Sequence, residues 1–402
     1  MVKRLAGLLI VISLLSACQP VAEQAPFIVP AMDVHIETGQ YQSAVVEVSR
    51  ENVILFPPPP PVDRYPADGV RGMYLSARGA ANASISGHAK TLLETTRLNA
   101  VVIDYKDDWG RIASTHESSD ALLQAATDPI YDAKQLIADY HAGGIYTIAR
   151  IVCFKDAFRA QADPGKAMQT SNGGVFIAPI GDTYLNPFDR SNWDYLVEAS
   201  IQAARAGFDE IQFDYVRFPE NFNALSSFVV MDQGDYATVD LPEVEKRSRA
   251  ISDFVAYARQ QLEPYNVRLS VDIFGYVTMV QDDGNVGQNL LMLAQHVDVI
   301  SSMIYPSHWN NGAFGAALPD KEPGRVVSGY IEREKALLST METAPISRPW
   351  LQSFTASYLG RGNFIPYTAK EVEAQIEALR QAGVHEYLLW DPANNYFTNV
   401  NY

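Results

Sequence analysis

The chain has 402 residues, room for one barrel-sized domain with extensions or for two medium domains, and a hydrophobic fraction of 47% supplies a large core. Its 47 acidic residues against 31 basic ones give a formal net charge of −16 at pH 7. A surface of that sign repels polyphosphates and no basic cluster offsets it, so nucleic acid is excluded as a partner and a neutral or cationic ligand is favoured.

Lys3 and Arg4 precede an apolar stretch over residues 5–15, which ends in Leu15-Ser16-Ala17-Cys18. A basic start, a short apolar run and small residues at its end make residues 1–17 an export signal, too short to span a bilayer. The ending resembles the bacterial lipoprotein signal, which implies that Cys18 is acylated and becomes the first mature residue. A lipid anchor at Cys18 is then the expected membrane partner. Gln19, where Asp would stand otherwise, is similar to lipoproteins of the outer membrane that face the periplasm. Of the two cysteines, Cys153 then remains as a thiol. It sits in an apolar strand, which predicts an inert core residue, and no disulfide or cysteine metal site is available. Residues 18–65 read as a tether, because the proline run over 57–61 favours a stiff polyproline II rod. Within the tether, residues 43–49 alternate weakly, as a strand does.

From Val70 onward strand-like and helix-like stretches take turns. Apolar, β-rich runs occupy residues 72–76, 100–105, 146–154, 210–218, 268–276, 297–305, 350–355 and 386–390. Helical spacing fills residues 86–98, 132–142, 192–206, 242–262, 286–296, 332–341 and 369–382. Thr368 and Glu371 form a capping box, and Gly143, Gly207 and Gly383 stand where helices should stop. Eight strands with helices between them predict a single α/β domain, a (β/α)8 TIM barrel over residues 66–402. The chain ends soon after Trp390, so an eighth helix is missing or replaced, and the carboxyl tail or the N-terminal extension is expected to cover that gap. An open doubly wound sheet is the alternative, disfavoured because no glycine-rich phosphate turn follows the first strand.

In such a barrel the residues just beyond each strand converge on one mouth. Strand two ends with Asp104 and Lys106, strand three with Arg150, and strand four with Asp214, Tyr215 and Arg217. Strand five brings Asp272 and Tyr276, strand six Tyr305, His308 and Trp309, and strand eight Trp390 and Asp391. Sugars need this mixture: aromatic faces for their CH surfaces, charged hydrogen-bonders for hydroxyls, and two carboxyls for the glycosidic bond. Asp214 and Asp272, on adjacent strands, are the candidate catalytic pair, and the others are candidates for substrate binding. Arg217, three residues from Asp214, is expected to keep Asp214 ionised as nucleophile or base, which leaves Asp272 as the acid. A separation of about 5–5.5 Å would imply retention of configuration and about 6.5–9.5 Å inversion. Asp107-Asp108 and the acidic turn at 282–285 lack the full calcium-loop pattern, and the histidines lack zinc spacing, so neither a metal nor a cofactor is expected. No Gly-x-Ser-x-Gly elbow is present, which argues against a serine hydrolase.

Thr183-Tyr184-Leu185-Asn186-Pro187-Phe188, Trp193-Asp194-Tyr195 and Phe208-Asp209-Glu210-Ile211-Gln212-Phe213-Asp214-Tyr215-Val216-Arg217-Phe218-Pro219 carry a resemblance, joined by residues 304–309 and 389–392. The chain from about residue 70 onward resembles an uncharacterised bacterial glycosyl hydrolase domain family. The resemblance implies a barrel related to glycosidases, with no substrate attached to it. The chain is more distantly similar to family-eighteen chitinases, whose fourth strand carries alternating aspartates before a catalytic glutamate. Asp209 and Asp214 match two of those aspartates, whereas Gln212 replaces another and Val216 stands in the glutamate's place. Met303, Ile304, Tyr305 and Trp390 echo the same family's sixth and eighth strands. The missing glutamate argues against substrate-assisted chitinase chemistry. The expectation is a lipid-anchored glycoside hydrolase that acts on a cell-envelope or secreted polysaccharide through two carboxylates. The alternative is a catalytically inactive glycan-binding envelope lipoprotein that kept the cleft.

Overall fold

The computed structural model describes residues 63–280 and 282–402. The expected export signal, Cys18, the 43–49 run and the proline run lie outside the described residues. Eight strands form the wall: β1 Arg71–Leu75, β2 Ala100–Lys106, β3 Tyr146–Val152, β4 Glu210–Asp214, β5 Arg268–Phe274, β6 Val299–Met303, β7 in two pieces, Ile346–Ser347 and Trp350–Gln352, and β8 Tyr387–Trp390. Neighbours pair in parallel, and β8 returns to β1 through Arg71 and Tyr387, which closes the ring. A main helix links each strand to the next: α1 Ala83–Thr95, α2 Ala133–Ala142, α3 Arg190–Ala206, α4 Glu243–Leu262, α5 Leu290–Ala294, α6 Pro323–Leu338 and α7 Ala369–Gln381, with an extra short helix in each of the first four connections. The fold is the (β/α)8 TIM barrel expected from the alternation of patterns.

Period-two alternation divides the core into two parts. Met73, Leu75, Val101, Ile103, Ala149 and Ile151 point outward into the layer beneath the helices. Tyr74, Ala100, Val102, Tyr146, Ile148 and Leu388 point inward and fill the barrel. Both faces of each strand are covered, so β2 and β3 are buried at every position.

Several boundaries differ from the sequence pattern, each for a local reason. β4 stops at Asp214 because Tyr215 turns into the left-handed region at φ 48°. α5 contracts to Leu290–Ala294 because Gly284 and Gly287 have positive φ and Asn289 caps the helix, its side chain accepting from the Met292 amide. α6 starts at Pro323, well ahead of the expected residue 332, with proline in the first turn where its missing N–H costs nothing. The capping box at Thr368 and Glu371 is present, and Gly207, at φ 108°, ends α3.

The carboxyl tail replaces the eighth helix. The Tyr396 hydroxyl donates to the Tyr74 carbonyl at 2.7 Å and shares the Leu389 carbonyl at 3.2 Å. His88 of α1 meets the Tyr396 carbonyl at 2.7 Å, the Asn401 amide donates to Glu373 of α7 at 2.8 Å, and Tyr402 is buried. At the opposite end of the barrel Tyr65 donates to Glu386 at 2.6 Å and packs edge-on to Tyr146, with Arg268 over its ring. Tyr396→Phe removes only the hydroxyl that ties the tail to β1 and β8. It is expected to cost about 1–2 kcal/mol in urea unfolding with an unchanged slope.

Candidate active site

Asp214 ends β4, and the register of β3 sets Val152 beside it and Arg150 beside Gln212. Arg150 therefore shares the inward face with Asp214. Its Nε and Nη2 donate to Asp214 Oδ2 at 2.8 and 2.7 Å, and its Nη1 donates to Asp104 Oδ1 at 2.8 Å and to Asp108 Oδ2 at 3.1 Å. The second oxygen of Asp104 accepts from the Tyr74 hydroxyl at 2.6 Å. The second oxygen of Asp214 accepts from the Tyr215 amide at 2.7 Å, a bond that follows from the left-handed turn at that residue. Arg150, Asp104 and Asp214 are all buried. Burial raises the Asp104 carboxyl to about 6 against the pull of Arg150. Asp108 moves the other way: its burial is outweighed by Arg150 and Lys155, which hold it below the usual carboxylate range.

Asp272 lies on the neighbouring strand in a different setting. Burial first, and then the charge of Asp214, push its carboxyl well above the usual range, against a hydrogen bond from Trp350 and the fields of Arg150 and Arg348. The Trp350 bond runs from Nε1 to Asp272 Oδ1 at 2.8 Å. Trp350 meets Trp390 edge-on, Trp390 stacks on Tyr74 at 4.1 Å, and Arg150 lies 5.4 Å from the Trp390 ring centre.

Asp214, Asp272 and Arg150 line one cleft of about 240 Å³. Of the other expected residues, Tyr215, Arg217, Tyr276, Tyr305, His308, Trp309 and Trp390 line it too. Asp108, Glu220, Phe274, Met303 and Trp350 complete the lining; of these, Glu220 and Trp350 are not strand-end positions in the sequence pattern. Gly275 is required at the wall, since a Cβ there would stand 2.8 Å from the Met303 carbonyl and 3.0 Å from the Trp309 ring.

Four expectations need correction. Lys106 does not face the cleft: a register shift between Asp104 and Lys106 turns it into the wall, where it pairs with Asp156 at 2.8 Å and donates to the Val152 carbonyl. Asp391 caps the turn after β8 by accepting from the Ala393 amide at 2.7 Å, and it does not line the cleft. Asp104 touches the cleft only through Arg150. Arg217 is not the partner of Asp214. Carried away by the turn at Tyr215, its guanidinium lies between the Tyr215 and Phe274 rings and donates to the Phe218 carbonyl at 3.1 Å. The cation on Asp214 is Arg150. Asp209, matched to the chitinase pattern, sits at the barrel's other end, bonded to His141 and the Thr147 amide, and Val216 is fully buried.

The pattern for a family described as "Putative glycosyl hydrolase domain" matches residues 72–396. The chain belongs to that family. Its site residues from β2 to β8 all fall within the matched span of this glycosyl hydrolase domain. A hypothetical protein from Ruminiclostridium thermocellum ATCC 27405 is similar, with 32% identity over 50% of this chain and 96% of its own, at a TM-score of 0.43. The PgaB (BpsB) glycoside hydrolase domain from Bordetella bronchiseptica shares the fold at 14% identity, covering 81% of this chain and 94% of its own, at a TM-score of 0.56. No curated protein matches the glycosyl hydrolase domain by sequence.

Proposed function

We propose that the protein hydrolyses glycosidic bonds of a polysaccharide, with Asp214 as nucleophile or base and Asp272 as general acid. The observation that carries this is the contrast between two carboxyls lining one cleft. Asp214 is bonded twice by a guanidinium, while Asp272 is pushed towards its protonated form by burial and by Asp214 itself. In the reaction Asp272 gives its proton to the departing glycosidic oxygen. Asp214 then attacks the anomeric carbon or takes a proton from the attacking water. Both bonds from Arg150 fall on Oδ2, so Oδ1, with one amide donor, keeps a lone pair for this task. Trp390, Trp309 and Tyr276, partly exposed where they line the cleft, offer ring surface for the sugar. The export signal and Cys18 support a lipid-anchored protein that faces the periplasm and acts on an envelope or secreted polysaccharide.

One feature favours the second reading, a catalytically inactive glycan-binding protein: every oxygen of Asp214 already has a donor. Assay of the whole protein against soluble chitosan, alginate, xylan and pullulan, scored by new reducing ends, separates the two. The acid role adds a pH signature. Asp272 must be protonated, so kcat/KM falls as pH rises through its elevated pKa. Asp272→Asn is expected to lower turnover of the polymer by roughly 10²–10⁴-fold and to abolish this alkaline limb. Aryl glycosides with acidic phenol leaving groups, which need no proton, are affected far less. An alkaline limb that persists in Asp272→Asn sinks the assignment. Binding of a polymer with no new reducing ends supports the inactive protein instead.

A further inference from the structure

We propose that the cleft is the middle of a groove that crosses the barrel mouth and holds a polysaccharide strand on both sides of the Asp214–Asp272 pair, so that chains are cut internally. The inference rests on the hydrolytic reading of that pair for its last clause and on the shape of the surface for the rest.

On the β6 side, the loop carrying His308 and Trp309 is a shared wall. One face lines the cleft and the other lines a second depression of about 540 Å³. Asn310, Asn311 and Asn363 line that depression. Beside it Tyr358 is 64% exposed, its ring fixed by a 2.9 Å bond from its hydroxyl to Ser307. Side-chain amides pair with sugar hydroxyls, and a held phenol ring offers a face to sugar CH groups. On the β2 side, Trp109 directly follows Asp108, which lines the cleft, and 72% of its surface is exposed. Its backbone is held, the amide donating to Asp107 Oδ1 at 2.9 Å and the carbonyl accepting from Phe158 at 3.1 Å. Such a loop presents the indole with little ordering cost.

The ring order of the sheet relates the two sides. β2 and β6 stand opposite one another in the closed eight-strand wall. A line from Trp109 to the asparagine-lined depression therefore passes over the cleft between them. An exposed indole at one end, and side-chain amides beside the Asp320 carboxyl at the other, match a hydroxyl-rich strand that passes over the ridge of His308 and Trp309.

The test uses the full chain carrying Asp214→Asn, titrated with the biose and hexaose of the chito, xylo and malto series. The hexaose of one series is expected to bind more tightly than its biose. Trp109→Ala, and separately the Asn311→Ala/Asn363→Ala double variant, are each expected to lower the hexaose-to-biose affinity ratio by about tenfold. Both changes are at exposed positions, so folding survives them. With Asp214 intact, size-exclusion of the cleaved polymer should show an early fall in mean chain length. An unchanged ratio in both variants, or no hexaose binding in any series, overturns the groove. Hydrolysis that releases only terminal sugars overturns internal cutting and leaves the hydrolase standing. Length-dependent binding that needs Trp109, in a protein that cuts nothing, keeps the groove and removes the hydrolytic reading.

Discussion

Asp214→Asn is expected to reduce polymer turnover by on the order of 10⁴-fold. The substitution keeps shape but removes the charge that reacts. It also creates a conflict, because an amide has one acceptor oxygen, while Asp214 accepts from Arg150 on one side and from the Tyr215 amide on the other. Whichever way the amide turns, its NH₂ faces a donor. A loss of about 1–3 kcal/mol in stability is therefore expected beside the loss of rate. Reducing-end assays and urea unfolding of the same preparation measure both. Wild-type turnover in this variant would remove Asp214 from the chemistry.

The largest stability effect is expected inside the barrel, away from the cleft. Glu210 and Arg348 are both fully buried and are joined by two hydrogen bonds, one of them from Nη1 to Oε2 at 3.1 Å. Ser270 and Tyr146 supply the remaining donors to the carboxylate, the latter at 3.0 Å. Glu210→Ala leaves a guanidinium in the barrel without its counter-charge, and a loss of about 3–5 kcal/mol is expected. A double replacement of both residues by methionine should recover most of it, since the desolvation of two charges is relieved together. Urea midpoints of the single and double variants decide this. A double variant no better than the single would mean that the site depends on the ion pair itself.

The strands and helices of the barrel were legible because each wall position is covered on both faces, which gives short apolar runs between helical periods. Gly207 and the Thr368–Glu371 box marked their helix ends in the expected way. The helical spacing pointed only to residues 332–341, yet Pro323 opens α6; proline signals a helix start as readily as a break. At the site, Asp214 and Asp272 were visible as strand-end carboxylates, but the wrong cation was assigned. Arg217 is near Asp214 in sequence, but three residues along a regular strand already set the two on opposite faces. The strand ends in a left-handed turn at Tyr215, and the partner comes from β3 instead. Trp350 was missed as a site residue because it was read as the first residue of a strand. Its indole reaches Asp272 only through the curvature of the ring. Cross-strand contacts of this kind leave no mark in local spacing.

One joint in the wall differs from the others. β6 meets β7 through Val299 with Ile346, Ile300 with Ser347 and Met303 with Trp350, and between the last two Pro349 offers no N–H. A hoop with one missing rivet should breathe at that rivet. Deuterium uptake is expected to begin among the amides of residues 346–352, ahead of those in β3 and β4. The flexing would then reach the loop of His308 and Trp309, which follows β6, and spare the clamp of Arg150 on Asp214. A strand of sugar could thus be admitted or released by a yielding flank while the reacting carboxyl stays in register.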